Sequence, residues 1–525
     1  MYKLLAYHFS ITNIIYWALS MNKSKQPYKI LWYSLPCLID SSNGAAISNK
    51  FILEQLALQG MEVKALNATI GDDPSGLQGL NAITEKVEEN PAGFYQFRLS
   101  NIEYFVVKTS STGLREIKAS EQTTVWSLFV KLLEVYQPDI VIGYCPDLFS
   151  LSLRREAKAR GIATAYAVCN ASHDNFAFPD CDVVLTNSQA ISLYYNRRPD
   201  RKTTVKPFGI VINPENVLGP NENRDQRYIT LVNPLPYKGI AVFIGLIRAF
   251  INKYPAVPLR FLVVKNRGSY DEIIQSLKNP DGSKFLEGPD AKKILSCIDV
   301  AEHTTNMKAV YALTKVMVCP SLCFEAWGMV ATEANMSGIP VLANNYGGLP
   351  EAIGRTFANN EQGQLIIDDS NLGGIVVDPP ASSFADNNVI PSDEEIVPYL
   401  AALEHLLTHD YSEQCAKASA VNDPNKNLER FKNYIIPLMD EAQERKTPLN
   451  NSFFLADSYM AEQREANAKK EAALQAQATA QANHQQDNSA RTTSNDNQKS
   501  AYQGIPIKGV HQKSKKAGKN TKKKR

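Results

Sequence analysis

Short apolar runs alternating with helical segments recur along most of this chain, and that alternation restricts its fold more than any other feature. Residues 29–34, 61–63, 139–143, 163–168 and 183–188 read as strands. Helical stretches fall between them. After Ser41, Phe51, Leu53, Leu56 and Leu58 lie near helical spacing and Gly60 supplies the stop; residues 151–160 form another helix. The pattern resumes with strands at 228–232, 259–264 and 339–343 and a helix at 240–253. Alternating β and α elements imply parallel, doubly wound sheets, so the fold class is α/β. With 525 residues, 44% of them hydrophobic, the chain has material for two cores rather than one. The repetition is architectural, since no sequence repeat is visible.

The densest chemistry lies in residues 320–354, where Glu325 and Glu333 stand eight positions apart. If the loop turns into a helix near Gly328, then Gly328, Met329 and Val330 present unpaired N–H groups beside both carboxylates. A phosphate suits such a helix start, and carboxylates accept hydrogen bonds from sugar hydroxyls. A nucleotide sugar carries both groups. The plain alternative is that glutamate in an opening turn merely complements the helix dipole. Against it, the apolar run 339–343 and then Gly347, Gly348, Leu349, Pro350 and Glu351 predict a second exposed helix start. Two strand-to-helix junctions then open on one sheet edge, where open α/β sheets bind ligands.

This stretch resembles the signature of family-four retaining glycosyltransferases of the GT-B fold. The likeness covers the proline–serine pair, the two spaced glutamates, the G-x-P-V run and GGLPE, all in order. It extends upstream to residues 232–239, the counterpart of the family's phosphate-gripping turn, and spans roughly residues 28–440. It implies two Rossmann-like doubly wound domains facing across a cleft: an acceptor-side domain at 28–212, a nucleotide-sugar domain at 213–392, and helices at 393–445 crossing back to the first. The hinge belongs at the Pro207–Val211 turn and the polar connector after it.

The resemblance also implies roles. Glu333 accepts from the donor ribose, Glu325 from hydroxyls of the transferred sugar, and the amides of Gly328, Met329 and Val330 meet sugar or phosphate oxygens. Lys238, helped by Asn233, holds the diphosphate, and Gly44 lies at the cleft. Transfer proceeds with retention, with no metal and no cofactor beyond the nucleotide-sugar donor. A fixed cation at ~4 Å and effective dielectric ~20 contributes on the order of 4 kcal/mol, against roughly 0.3–2 for a helix terminus. Lys238 therefore carries most of the weight; its plain alternative is a solvated surface lysine. Two positions depart from the pattern. Asn233 stands where the family usually has arginine, and Arg267 in the next loop is a candidate second cation. Cys169 and Asn170 stand where a histidine is common; His173 is a candidate for the same space, its ordinary reading being an exposed loop residue. Asp180 and Asp182 have the D-x-D form that holds metal in the other large glycosyltransferase fold, but they precede an apolar strand with none of that fold's pattern around them.

The ends differ from the body. Residues 1–27 read as a non-structural extension or interfacial segment: the first twenty are barely long enough to cross a bilayer and contain His8, Ser10, Thr12 and Asn13, and Met21 is an equally good start. Residues 446–525 read as a low-complexity, largely disordered tail. Its last part, from Lys508 to Arg525, holds nine basic residues and no acidic ones, so the rest of the chain carries −7 of the +2 total. Such a stretch suits an anionic membrane surface or is simply a solubilising end, and no specific nucleic acid is expected. Eight cysteines without paired spacing suit a reducing cytosol. The expectation is thus a cytoplasmic enzyme, peripheral at the inner membrane face through its tail, acting on an unknown acceptor. Its rivals are a sugar-nucleotide epimerase of the same fold and a non-catalytic scaffold tethered by the basic tail.

Overall fold

The structure, a computed structural model, describes residues 27–173, 178–198, 203–452, 465–466, 468–470 and 472–473. It divides into a unit at Met1–Leu449 and a second at Asn450–Arg525. The expected N-terminal extension up to residue 26, most of the tail and the basic stretch from Lys508 to Arg525 lie outside the described residues. No helix among the described residues is long and apolar enough to cross a membrane.

The first unit holds two parallel sheets. One contains β1 (Lys29–Tyr33), β2 (Glu62–Ala68), β3 (Phe94–Leu99), β4 (Ile102–Val107), β5 (Ile140–Gly143), β6 (Ala163–Val168), β7 (Val183–Thr186) and β8 (Val205–Pro207). Its order is β3-β4-β2-β1-β5-β6-β7-β8, with β3 the antiparallel edge. The other sheet draws on β9 (Tyr228–Val232), β10 (Arg260–Val264), β11 (Ile298–Ala301), β12 (Thr314–Cys319) and β13 (Val341–Asn344). After an antiparallel hairpin of β14 (Thr356–Asn359) and β15 (Leu365–Asp368), β16 (Gly374–Val377) completes the order β11-β10-β9-β12-β13-β16. The edge strand β3 and the hairpin are outside the simple alternation read from the sequence.

Each sheet reverses its winding once, between β1 and β5 in the first and between β9 and β12 in the second. At such a point neighbouring connections leave to opposite faces, and a crevice opens beyond the strands' carboxyl ends. The loops after β1, β9 and β12 therefore border crevices by topology. The central strands are buried on both sides, as β-branched and aliphatic runs such as residues 140–142 require.

The long last helix, Pro424–Ser452, ties the carboxyl end of this unit to the first sheet. Leu428, Phe431, Ile435 and Met439 sink into the core formed by Ile30, Trp32, Ile52 and Ile142. Each such side chain contributes roughly 1.5–3 kcal/mol by leaving water. Phe208 meets Phe431 edge-on at 5.1 Å, and Asn427 Nδ2 donates to the Ile210 carbonyl at 2.8 Å. The chain segment joining the two sheets is thus fastened by this helix. Beyond it, Ile210, Ile212 and Leu218 are buried with the second sheet's Met317 and Val341.

Candidate functional site

A cavity of about 1240 Å³ lies between the two sheets, and Lys238, Glu325 and Glu333 all line it. The lysine reaches it from the turn after β9. Residues Pro236–Lys238 make one tight helical turn, and Gly239 follows with φ 87°. A Cβ at Gly239 would lie 2.0 Å from the Pro320 carbonyl oxygen, so only glycine lets this turn approach the β12 loop. The close approach brings the Lys238 ammonium onto Glu325 Oε1 as an ion pair. Ser321 Oγ donates to the same oxygen at 2.7 Å. Burial alone depresses the ammonium's pKa, but the Glu325 carboxylate outweighs it and holds Lys238 above the ordinary lysine range. For Glu325 burial acts upward, and Lys238 overrides it and keeps the carboxyl below its usual range. Both groups stay charged.

Glu333 lies one helix further in. Its helix, Met329–Met336, is capped by Gly328, and Gly328, Met329 and Val330 line the same cavity. The first N–H groups of a helix have no intrahelical partner, so this end presents donors to the cavity. Trp327 Nε1 donates to Thr332 Oγ1 at 2.8 Å, and that hydroxyl donates to the Ala352 carbonyl, which pins the loop to its helix. The Glu333 carboxylate is 3% exposed. The Tyr311 hydroxyl donates to its Oε2 at 2.5 Å and Asn216 Nδ2 to its Oε1 at 3.1 Å. Burial pushes this carboxyl up to about 7, against those two donors.

The remaining expected residues fall on both sides of the cavity. Asn233, at φ 63°, lines it with a buried Oδ1 that has no partner among the described residues. Arg267 lines it too, but its Nη1 donates across the cleft to Asp72 Oδ2 at 2.7 Å. Asn266 beside it donates to the Ser42 carbonyl, and Ser41 Oγ meets His303 Nε2 at 3.2 Å. Gly44 opens the Gly44–Leu58 helix, whose cap Asn43 accepts from the Ala45 and Ala46 amides. A Cβ at Gly44 would stand 3.9 Å from the Met329 methyl, so the two helix starts face each other.

His173 corrects the sequence expectation. It is neither an exposed loop residue nor part of the cavity lining: it is 6% exposed, its Nδ1 is 3.2 Å from the Tyr166 hydroxyl, and its ring packs against Tyr144 and Tyr166. Its backbone N–H donates to the Tyr195 hydroxyl, which donates to the Asn170 carbonyl. An aromatic cluster drew the ring inward, and Cys169, Asn170 and Ser172 take the cavity wall. Asp180 and Asp182 form ion pairs with Arg155 and Lys158, and Asp182 Oδ2 also accepts from the Thr164 amide, so both serve the β6–β7 edge. Sequence reasoning missed Tyr311, Asn216, Ser321 and Asp72. Each lies far in sequence from its carboxylate or cation except Ser321, four residues before Glu325, which was the one discoverable locally.

With this geometry in hand, similarity to known proteins is informative. Residues 236–371 match the family model described as glycosyl transferases group 1. The chain is similar to a D-inositol 3-phosphate glycosyltransferase of Corynebacterium glutamicum (strain R), 27% identical over 293 residues that make up 52% of this chain. It spans 63% of that relative's length. Among solved structures, a glycosyltransferase from Rickettsia africae ESF-5 superposes with TM-score 0.53 at 14% identity, over 80% of this chain and 99% of that one. The catalytic domain of starch synthase IV from Arabidopsis thaliana, bound to ADP and acarbose, gives 0.50 at 11% identity, over 79% and 99%. The fold is GT-B.

Proposed function

Taking as premise that this chain carries a glycosyl transferases group 1 domain on a GT-B fold, we propose that it moves a sugar from a nucleoside-diphosphate donor to an acceptor hydroxyl, with retention and without a metal. One observation carries the reading: an ammonium, two carboxylates and a helix start border a single cavity between the two sheets. Among the cavity-lining residues, Lys238 is the cation seated against the helix-start loop. A diphosphate arriving there exchanges the Lys238–Glu325 pair for a Lys238–phosphate pair. Glu325 then has an oxygen free to accept from a hydroxyl of the transferred sugar, while Ser321 continues to orient it. Charge grows on the diphosphate as its bond to the sugar breaks, and the fixed ammonium and N–H donors stabilise that charge most as it develops.

Glu333 accepts from the ribose, its orientation fixed by Tyr311 and Asn216. Asn233 contributes a hydrogen bond rather than charge, and Arg267 becomes a second phosphate ligand if it exchanges Asp72 for the donor. The departing phosphate takes the acceptor's proton, so a pair of glycosidase-type carboxylates is unnecessary. The basic stretch from Lys508 to Arg525 is proposed to hold the protein at an anionic membrane surface on the cytoplasmic side. The curated relative's acceptor type is one candidate for this chain.

The test is a melting-temperature panel with UDP-, GDP- and ADP-sugars, since a bound donor raises the midpoint, followed by product analysis with and without acceptors. A donor that binds and is transferred supports the reading. Rearrangement of the donor alone would make the chain an epimerase, and binding without turnover would make it a scaffold.

A further inference from the structure

The Gly347–Glu351 motif borders the cavity through Leu349, yet its glutamate does not line the cavity. Glu351 points instead to the other lobe. Its Oε2 accepts from the Gln189 amide at 2.7 Å and its Oε1 from the Ala190 amide at 2.8 Å. These are the first two N–H groups of the Gln189–Asn196 helix, which follows β7; the third, Ile191, is taken by the cap residue Ser188. A helix start in one lobe is therefore closed by a carboxylate from the opposite lobe, 162 positions away in sequence. The backbone that carries this side chain is anchored too, since Asn422 Nδ2 donates to the Glu351 main-chain carbonyl at 2.9 Å.

The same helix is packed onto the loop that carries Glu325. Tyr194 meets Phe324 at 5.2 Å, and Ala326 is buried among Tyr166, Val168 and Ile191 of the first lobe. The two glycines make this possible. A Cβ at Gly347 would lie 2.6 Å from the Glu325 nitrogen, and one at Gly348 2.4 Å from the Ala326 oxygen. The Gly348 amide donates to the Glu325 carbonyl at 2.8 Å. Glu351, the glycines, the Glu325 loop and the helix after β7 thus form one interlocked block.

We infer that Glu351 is a positioning residue: by clamping the first lobe's helix start it sets the closure of the cleft and seats Glu325 against the transferred sugar. A buried carboxylate that touches no ligand is costly unless hydrogen-bonded, and here both oxygens are used across the lobe boundary. Because Glu351 stands outside the cavity, its loss should alter geometry for transfer and leave nucleotide binding intact. Misplacement of a reacting group by about 1 Å costs up to about 100-fold in rate.

The inference rests on the transferase reading for its rate measurement and not for its solution-scattering measurement. In the full chain, Glu351→Gln puts an NH2 group against a backbone N–H. It is expected to enlarge the radius of gyration of the ligand-free protein and lower kcat at least about tenfold. The Kd of whichever of UDP, GDP or ADP the unmutated chain binds should stay within about twofold. Gln189→Pro removes one donor from the other side at a first helical position that suits proline, preceded by an extended Ser188, and so tests the clamp even if the first variant fails to fold. It should shift scattering and kcat in the same direction by less. Unchanged scattering in the folded variants would overturn the clamp, as would a loss confined to nucleotide affinity. If the unmutated chain binds no nucleotide, the transferase reading fails while scattering still judges the clamp.

Discussion

The two walls of the cleft are built from different chemistry. The wall from the second sheet carries fixed charge: Lys238, Glu325 and Arg267 on turns or loops that follow strands, and Glu333 in the second turn of the Met329–Met336 helix. The wall from the first sheet is mostly neutral: Ser42, Asn43, Tyr144, Asn170 and Ser172 line it, and its carboxylate, Asp72, is occupied by Arg267. A charged ligand recognised by charge needs particular residue types at particular spacings. A wall of hydroxyls, amides and rings works through shape, which many sequences can supply. The difference teaches that the wall of the second sheet is specified by chemistry and the wall of the first by contour; on the proposed reading these are the donor and acceptor sides.

The largest effects should come from the charged wall. Lys238→Ala and Glu333→Ala are each expected to lower transfer at least ~100-fold, the scale for loss of one transition-state electrostatic partner. Steady-state kcat with the donor identified by melting shift measures it. Losses of only a few-fold would break the contrast between the walls.

The next effect is a pH dependence located in Glu333. Its folded value, pushed up to about 7, lies above the ordinary 4.5, so the native state binds the proton more tightly. The stability it contributes is full below about pH 4.5 and is lost as pH rises through about 7, by up to about 3 kcal/mol. Nucleotide binding runs the other way. Ribose hydroxyls donate best to the ionised carboxylate, so donor Kd should rise severalfold as pH falls below about 7. Glu333→Gln should flatten both trends, measured by denaturant midpoints and by calorimetry. Glu351, raised to about the same value by burial, keeps its own stability slope in that variant.

How much of this was legible beforehand follows the same division. The parallel strands announced themselves because runs such as Val183–Thr186 are buried on both faces and hence continuously apolar. The Lys238 turn and the paired glutamates were legible because local backbone geometry, with Gly239 and Gly328, forces their spacing. Tyr311 and Asn216 were not, because contact with Glu333 is made by tertiary packing across 22 and 117 positions. His173 misled for a related reason: nothing local shows that Tyr144, Tyr166 and Tyr195 converge around it. The hairpin β14–β15 carries exposed Leu365, Ile366 and Ile367, a hydrophobic strand with no burial to explain its pattern.

Arg267 sits between the two walls and sharpens the comparison. Partly exposed ion pairs contribute little to stability, so Arg267→Ala should leave the melting midpoint within about 2 °C. If the guanidinium leaves Asp72 for the donor, the same variant should raise donor Kd about three- to tenfold. An unchanged Kd would assign Arg267 to lobe contact alone.

The smallest effect belongs to the neutral wall. Asn170 Nδ2 donates to the Tyr144 hydroxyl at 2.9 Å, while its Oδ1 accepts from the Ser172 amide and hydroxyl. Those bonds shape the loop that lines the cavity just before the inward-turned His173. Asn170→Ala loosens the loop without touching a charge, so it should raise the acceptor's KM about threefold and leave donor Kd unchanged, since one neutral hydrogen bond contributes about 1 kcal/mol. Titrating donor and acceptor separately reads the two quantities. If donor affinity moved as much as acceptor KM, the neutral wall would be sensing the nucleotide sugar as well, and the division between charge on one side and contour on the other would fail at the residue chosen to isolate it.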